Sequence, residues 1–315
     1  MPAQDERSPL ALVDPVLRLH PDRANAWLAE AARRAGVATL PPARIAAVVR
    51  DGARVQALRL EDGRAIAADL FVDAAGPDAP IAGQVAPGWE DWSDALPCDR
   101  LRVGAGTSRA SAIDRYRAEP FGWRASWSGS EVLAGRGALP EGAGTEIRVR
   151  PGRRSAVWTG NLLALGDAAA QPGPLGCASF GLMLAQLALA LELLPDARME
   201  PVLVAEYCRR AALRADRLRD YLAAHYHVTG AHGSAAPASP ALAETLAQFA
   251  RRGRLPRFEE EAVGEDAWRM LLIGGGMRPQ LVDPVAAAIP PDAARARVQQ
   301  MARDLQTFVQ RLPPA

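Results

Sequence analysis

The sequence predicts an α/β fold in the front of the chain and a helical region behind it. The first 76 residues follow the order helix, hairpin, strand. A second apolar strand, Asn161–Leu165, leads through a loop into a long helix that runs to Leu194, where Pro195 stops it. From Val202 onward the apolar residues recur at helical spacing. Strands that alternate with helices in this way are typical of an α/β sheet.

Local signals support each element of the front part. Asp22–Gly36 has an aspartate near its N-cap and a glycine stop, so we expect a helix. Two strand-like runs, Ile45–Arg50 and Arg54–Leu60, are joined by the turn Asp51-Gly52. The run Asp69–Asp73 is predicted to form a short buried strand.

Irregular and β-rich segments are expected in the middle of the chain. Pro77–Pro97 is predicted to be loop-like, and Leu101–Gly144 to mix short strands with glycine-rich turns. Glu146–Arg150 alternates as an exposed strand does. By contrast, Phe180–Leu194 is apolar nearly all round, which predicts a central buried helix whose leucines belong to the core.

Composition excludes several classes of function. Apolar residues at 49% and charged residues at 23% are typical of a folded globular protein. A net charge of +1 gives no electrostatic reason to expect a nucleic acid or an anionic membrane as partner. The polar N-terminus lacks a signal peptide, and the most apolar stretch is too short to span a bilayer, so we expect a cytoplasmic protein. The three cysteines, Cys98, Cys177 and Cys208, have no metal-ligand spacing and fit a reducing compartment.

Two segments end a strand in a way that suits a ligand. Ala68–Gly76 ends in small residues, and Gly76 removes the Cβ that would obstruct a close approach to the backbone. Asn161–Ala170 presents Asp167 at the carboxyl end of a strand, where open α/β sheets bind ligands and a carboxylate can accept hydrogen bonds from a sugar-like hydroxyl. The structural alternatives are an ordinary strand followed by a turn for the first segment, and a helix-capping aspartate for the second.

The loop after Asp167 adds hydrogen-bond donors. Pro172, Pro174 and Gly176 precede a helix that begins near Ala178. Free N–H groups and the positive dipole end of that helix suit the carbonyl of a flavin, a pyrophosphate or a halide. The candidate cofactor-binding residues are therefore Gly76, Gly166, Asp167, Pro174, Gly176, Ala178 and Ser179. No residue is assigned as catalytic and no metal ligand is predicted.

These motifs resemble those of a known family. Gly166–Ala169 with its Pro/Gly-rich loop resembles the second FAD signature of aromatic hydroxylases and flavin-dependent halogenases, and Asp69–Gly76 resembles the matching strand. Arg217–Thr229 is similar to the C-terminal helix of the tryptophan halogenases, with an HYH-type triplet, and Leu246–Pro284 follows their C-terminal pattern. The resemblance covers Leu17–Arg311, and the order of the motifs is more specific than any one of them.

The resemblance implies a fold, a cofactor and partners. The fold would be an incomplete FAD-binding domain of the glutathione-reductase/hydroxylase type, with a mixed β substrate region and a helical C-terminal region. We expect residues 1–86 to form a partial FAD-binding region, 87–150 a β-rich substrate region, 151–200 the returning FAD-binding strand, loop and helix, and 201–315 the helical region. FAD, an aromatic small-molecule substrate and a flavin reductase are the implied cofactor, substrate and partner.

The sequence departs from the family pattern in several places. Members open with a strand, a GxGxxG loop and a helix that hold the ADP part of FAD, whereas Met1 falls just before the Asp22 helix, so we expect this unit to be missing. The lysine that handles the oxidant has no counterpart, because all 37 basic residues are arginine. Gly176 stands at the glutamate position of the Pro-Leu-Glu-Ser-Thr loop, and the tryptophan motif survives only as Trp123–Ser128. Halide contacts, made by backbone N–H groups, would fall near Ala178 and Ser179.

Other polar residues have simpler interpretations. His225 and His227 lie two apart on a helix, roughly 200° around it, so they cannot share one metal ion and are taken as structural. Arg153 and Arg154 could face a phosphate, but a solvated surface is the favoured interpretation. Val103–Arg109 contains a GxG without the third glycine and is interpreted as a turn. Small-residue packing is favoured for Cys177.

Two hypotheses of function follow from the sequence. The first is an FAD-dependent oxidoreductase of the tryptophan halogenase-like class, impaired or incomplete in this chain. The alternative is a non-catalytic remnant or interaction protein of the same fold that does not bind flavin on its own. An incomplete parallel sheet exposes an apolar edge, so homo-oligomerisation is also expected.

Overall fold

The helices and strands follow one another as α/β in front and helical behind. A computed structural model describes residues 19–106, 115–127, 129–196, 198–229 and 237–311. The helices of these residues are α1 (Pro21–Arg34), α2 (Ala82–Val85), α3 (Ala178–Glu192), α4 (Pro201–Thr229), α5 (Pro240–Arg252), α6 (Glu265–Gly274), α7 (Pro284–Ala287) and α8 (Pro291–Gln310). The strands are β1 (Ile45–Asp51), β2 (Arg54–Leu60), β3 (Ala65–Ile66), β4 (Phe71–Asp73), β5 (Trp89–Asp91), β6 (Arg100–Ala105), β7 (Arg115–Glu119), β8 (Gly122–Trp127), β9 (Ser130–Gly135), β10 (Thr145–Arg148), β11 (Gly152–Arg154), β12 (Trp158–Thr159), β13 (Leu162–Ala164) and β14 (Ala170–Gln171).

The smaller of two compact units comprises Met1–Pro42 and Val282–Ala315. Its described helices are α1, α7 and α8. The predicted helix near the N-terminus is confirmed as α1, and Gly36 follows it at φ +81°, the left-handed conformation expected of a glycine stop. Asp283 caps α7 by accepting a hydrogen bond from the Val285 backbone N–H at 2.9 Å.

The larger unit, Ala43–Leu281, contains the predicted hairpin. β1 and β2 pair antiparallel around the Asp51-Gly52 turn, with Gly52 at φ +54°, and β3 adds to β2 after the next turn.

The division of the chain into four regions, which followed from the resemblance, stays a prediction.

A short parallel ladder joins the two strands that were predicted to present ligand-binding residues. β4 pairs in parallel with β13, with Phe71 opposite Leu162 and Asp73 opposite Ala164. β12 flanks β13 on the other side, so β4 forms the edge of this sheet in the described part of the chain. β13 is fully buried. The prediction of a buried strand at Asp69–Asp73 is wrong for Val72, which is 47% exposed because β4 lies at the edge.

Asn161, just before β13, connects this ladder to the hairpin. Its side chain is fully buried, and its Oδ1 accepts from the Val55 N–H at 2.7 Å while its Nδ2 donates to the Val55 carbonyl oxygen at 2.9 Å. The carboxamide thereby forms hydrogen bonds with both backbone groups of Val55, a buried residue of β2. A neighbouring strand would otherwise supply these partners.

The middle of the chain forms a five-stranded antiparallel sheet in the order β10-β6-β9-β8-β7. It accounts for the mixture of short strands and turns predicted there. The predicted turn at the GxG is wrong for Val103–Ala105, which are the last residues of β6 and pair with β9. Residues 107–109 of that segment lie outside the described residues.

Two apolar cores meet along α4. Trp158 from β12 packs edge-to-face on Tyr207 of α4, with ring centroids 5.1 Å apart, in the core beneath the parallel ladder. In the second core, Tyr226 near the other end of α4 packs against Trp123 of β8 at 5.5 Å, and Phe249 of α5 is buried beside them. A helix of 29 residues spans about 44 Å, which is long enough to serve both cores.

The prediction that α3 is buried on all sides is wrong. Leu182 and Leu189 are buried, but a stripe at spacings of 4, 3 and 4 residues is exposed: Phe180 at 51%, Leu184 at 47%, Leu187 at 41% and Leu191 at 68%. The helix packs against other elements through one face only. An apolar composition on all sides does not show which faces other elements cover. No described helix combines the length and hydropathy that crossing a membrane requires.

Replacing Asn161 tests its connection to the hairpin. Asn161→Ala leaves the Val55 N–H and carbonyl oxygen buried without a partner, so we expect the free energy of unfolding to fall by about 2–4 kcal/mol. Urea denaturation followed by circular dichroism measures this loss. The control is Asn25→Ala at an exposed position of α1, which should change the unfolding free energy by less than about 0.5 kcal/mol. Equal stability of Asn161→Ala and the unsubstituted protein would contradict the assignment.

Candidate flavin site

The candidate cofactor-binding residues leave the sheet at one edge. Because β4 and β13 run parallel, the chain that follows Asp73 and the chain that follows Ala164 leave from the same end of the ladder. The Leu165 N–H extends the pairing by donating to the Asp73 carbonyl oxygen at 3.0 Å. The sequence analysis identified each strand end separately, and the parallel pairing places the two ends together.

Asp73 holds the turn that contains Gly76. Its fully buried carboxylate accepts from the backbone N–H groups of Ala75 at 3.2 Å, Ile81 at 2.9 Å and Ala82 at 2.8 Å, and the last two lie at the start of α2. Gly76 has φ +82°, and no atom lies within 4 Å of the position that a Cβ would take. The turn is therefore open beside Gly76, and its backbone conformation favours glycine.

A 3-10 turn over Gly166–Ala168 presents Asp167. Gly166 has φ +62°, and its N–H donates to Oε1 of Gln186 at 3.0 Å. Gln186 is buried in α3, so this bond fixes the turn to the helix behind it. Sequence reasoning missed Gln186, although a single amide in an otherwise apolar helix was a usable signal.

The carboxylate of Asp167 is half-buried and incompletely paired. Its Oδ1 is enclosed and accepts no hydrogen bond from the described residues. Burial raises the pKa of Asp167 above its ordinary value, and the hydroxyl of Ser179 partly opposes this by favouring the charged form. A buried acceptor without a donor is costly unless a ligand supplies the donor.

The loop between this turn and α3 has a second sharp bend. Pro174 precedes a 3-10 turn, Leu175–Cys177, in which Gly176 has φ +66° and open space where a side chain would begin. Ala178 and Ser179 are the first residues of α3, as predicted. The Ala178 N–H already donates to the Leu175 carbonyl oxygen. The side chain of Cys177 lies outside the described part of the structure.

A cavity of about 510 Å³ adjoins Gly176 and the start of α3. Its walls come from α3, α4 and the segment 261–263, and most of them are apolar. Tyr221 supplies an aromatic wall, Arg214 a guanidinium and Glu261 a carboxylate. Arg214 is paired with the buried Glu260 at 2.6 Å, and Glu261 accepts from Nε1 of Trp268 at 3.4 Å. Sequence reasoning did not identify this lining, because α4 and residues 261–263 are distant in sequence.

The predicted solvated surface at Arg153 and Arg154 is wrong, because both residues are buried in β11. Arg153 pairs with Asp216 of α4 at 3.0 Å and with Glu90 of β5 at 2.8 Å. Arg154 donates from Nε to the Ala168 carbonyl oxygen at 2.7 Å, so it supports the turn that carries Asp167 from behind. Adjacent arginines in a short strand look exposed in sequence, but here each has acceptors on a different neighbouring element.

His225 of the HYH triplet makes structural contacts within α4, whereas the structural role of His227 stays a prediction. The ring of His225 packs edge-to-face on Tyr221 at 5.0 Å, and its Nδ1 lies 3.1 Å from the Tyr221 carbonyl oxygen. Burial lowers the pKa of His225, which favours the neutral ring. Within the described ranges, no cluster of three or more potential ligands could hold a metal ion.

Comparison with known proteins relates this chain to one family. The tryptophan halogenase family model matches residues 1–128 and 130–291. Tryptophan 7-halogenase KtzQ from Kutzneria sp. (strain 744) is 26% identical over 214 residues, which cover 56% of this chain and 38% of that protein. Tryptophan 7-halogenase RebH from Lentzea aerocolonigenes is 26% identical over 216 residues, 58% of this chain and 40% of that protein. The chain thus spans about two fifths of the length of these curated relatives.

Solved structures share the fold. BrvH, a flavin-dependent halogenase from Brevundimonas sp. BAL3, superposes with a TM-score of 0.87 at 25% identity, covering 99% of this chain and 70% of that one. Xcc4156, a flavin-dependent halogenase from Xanthomonas campestris, superposes with a TM-score of 0.79 at 26% identity, covering 91% of this chain and 65% of that one. The predicted α/β fold and the family resemblance are thereby confirmed, and FAD is the cofactor that the family implies. This chain belongs to the tryptophan halogenase family.

Proposed function

We propose that the chain forms the flavin-holding and substrate-facing part of a flavin-dependent oxidoreductase that acts on an aromatic small molecule. The observation that carries this proposal is Oδ1 of Asp167, an enclosed acceptor that has no donor among the described residues and lies after the carboxyl ends of two parallel strands. A hydroxyl of the sugar-alcohol chain of FAD would supply that donor. Gly76, Gly166, Pro174, Gly176, Ala178 and Ser179 would form the walls around it, and FAD, when bound, would supply the redox chemistry.

The aromatic substrate would occupy the cavity beside Gly176. The cavity shares Leu175, Gly176 and Ala178 with the proposed flavin loop, so a substrate there would lie next to the cofactor. Its volume of about 510 Å³ is in the usual range for small-molecule sites, and apolar walls with a few polar groups suit an indole-sized ring. A flavin reductase would be the partner that the family relationship suggests.

The chain would bind flavin weakly on its own. It contains no GxGxxG loop, which in this kind of domain cradles the pyrophosphate with backbone N–H groups. Without a lysine, and with Gly176 at the position of the loop glutamate, it also lacks the side chains that the family uses to handle the oxidant. These departures support impaired or incomplete chemistry in this chain.

A second candidate function, a non-catalytic interaction protein, rests on the exposed apolar stripe of α3. Val72 on the edge strand β4 is also exposed, at 47%. An open strand edge and an apolar helix face are both surfaces that favour association with another chain. The two candidates are separated by flavin binding and by oligomeric state.

Flavin binding tests the first candidate. Titration of FAD with the purified chain, followed by flavin fluorescence, should show binding at least about a hundredfold weaker than the same measurement on BrvH, because several backbone hydrogen bonds to phosphate of about 1 kcal/mol each are missing. Asp167→Ala should weaken it by a further factor of about ten. Asp69→Asn, at an exposed bend shortly before β4, is the control and should bind FAD as the unsubstituted chain does. A yellow protein with stoichiometric FAD would contradict the weak binding, and unchanged affinity in Asp167→Ala would contradict the role of Asp167.

The raised pKa of Asp167 predicts how stability depends on pH. A folded-state pKa above the unfolded value means that the folded state binds the proton more tightly, so this group's contribution to stability is lost as the pH rises through that range. We therefore expect Asp167→Asn, which carries no charge, to have a higher Tm than the unsubstituted chain at pH 7. The gain should shrink as the pH falls below about 4, where the carboxyl is protonated in both states. Thermal melts of both proteins at a series of pH values measure the difference, and a lower Tm of Asp167→Asn at pH 7 would refute the prediction.

Oligomeric state tests the second candidate. Light scattering should find the chain self-associated, and Leu184→Gln with Leu187→Gln should shift it toward monomer by removing apolar area from the stripe. Met270→Gln, at an apolar residue of α6 that is 75% exposed and lies outside the α3 stripe, is the matched control and should leave the association unchanged. A monodisperse monomer of the unsubstituted chain would argue against an association surface on α3.

A further inference from the structure

A second cavity, of about 560 Å³, lies on the other side of Arg154 from the proposed flavin turn. It is formed by the segment after Gly76, by the ends of β6 and β10 and by β11. Four arginines line it, Arg100, Arg148, Arg150 and Arg154, against two carboxylates, Asp78 and Asp99. The lining therefore carries a formal excess of positive charge, which the proposed flavin and substrate sites do not explain.

Arg154 is the most deeply placed of these cations. Only 7% of the residue is exposed, and Nε and Nη1 donate to the carbonyl oxygens of Ala168 and Ala86, each at 2.7 Å. Among the described residues no carboxylate lies within 4.0 Å of its guanidinium, and Nη2 makes no hydrogen bond. Burial lowers the pKa of Arg154, and the charge of Asp73 opposes that shift. A buried cation without a close counter-charge is stabilised when an anion binds.

The backbone of the neighbouring helix leaves room on the open side of that guanidinium. A Cβ at Gly83 would lie 3.9 Å from Nη2, so glycine keeps this side of the nitrogen uncovered. Trp89 forms the adjoining wall, with the guanidinium carbons of Arg150 and Arg154 at 5.5 and 5.9 Å from its ring centroid. Arg150 and Arg154 both also line the cavity.

The rim of the cavity is also basic. Arg148 is exposed and forms no ion pair with the described residues, while Arg150 is 67% exposed and 3.9 Å from Asp91. Arg100 is shared between Glu146 at 3.0 Å and Asp99 at 3.9 Å, so its charge is largely compensated. Arg148, Arg150 and Arg154 are thus the cations available to a ligand.

We propose that this cavity binds the oxyanion group, phosphate or carboxylate, of a small molecule. Arg154 donates from its uncovered side to the anion, and Arg148 and Arg150 close on it from the rim. A planar guanidinium matches two oxygens of such a group better than it matches a spherical halide. The proposal does not depend on flavin binding at Asp167, because it uses other side chains and a different cavity.

Isothermal titration of the complete chain at low ionic strength tests the proposal, with inorganic pyrophosphate and citrate as probes. At least one probe should bind with a stoichiometry near one, and Arg148→Gln with Arg150→Gln should weaken its binding by about tenfold or more. Both substitutions are at exposed positions, so folding is retained. Arg198→Gln, at a side chain 84% exposed, is the control and should bind as the unsubstituted chain does.

The two probes distinguish the source of the anion. Tighter binding of pyrophosphate indicates a phosphorylated ligand, and tighter binding of citrate indicates a carboxylated one; either result supports the proposal. Absence of binding by both probes would overturn it. Equal affinity in the double variant, or equal displacement of the probe by sodium bromide and by sodium sulfate at matched ionic strength, would overturn it as well.

Discussion

Three residues of β4 pair in parallel with three residues of β13, and this short ladder determines where every candidate flavin-binding residue lies. Parallel pairing directs the two following segments to the same edge, so that the Gly76 turn and the Asp167 turn leave the sheet together. A shift of one residue in this register would move Asp73 away from Ala164 and break the bond from the Leu165 N–H to the Asp73 carbonyl oxygen. The site therefore depends on the register of the ladder more than on any single side chain.

Buried polar side chains compensate for the small size of the ladder. Asn161 supplies both hydrogen bonds of Val55 at one end, Asp73 accepts three backbone N–H groups at the other, and Gln186 accepts from Gly166. Each of them replaces a backbone partner that a longer strand would have provided. Because an unsatisfied buried group costs about 1–3 kcal/mol, these three positions hold the turns in one geometry.

The sequence predicted the parts of the fold that depend on local signals. The hairpin and its Asp51-Gly52 turn, the helix stop at Gly36 and the strand before Asp167 all depend on residues that are close in sequence. It did not predict the exposed face of α3 or the burial of Arg153, because both depend on which element lies next to them in space. The cavity beside Gly176 was missed for the same reason, since Tyr221 and Glu261 come from segments distant in sequence. The resemblance added the order of the motifs, which the family match then confirmed.

The turn over Gly166–Ala168 carries the Asp167 carboxylate and is contacted by the Arg154 guanidinium, and these two charges do not form an ion pair with each other. Among the described residues, Oδ1 of Asp167 is enclosed and has no donor, and the Arg154 guanidinium donates to the Ala168 carbonyl oxygen with no carboxylate within 4.0 Å. Arg153, the preceding residue of the same strand, forms ion pairs with two carboxylates at 3.0 Å or less. A buried arginine in this strand can therefore have an acidic partner. An isolated buried charge lowers stability unless a ligand compensates it. These two charges at one turn of three residues are the basis of the two ligands that we propose on either side of it.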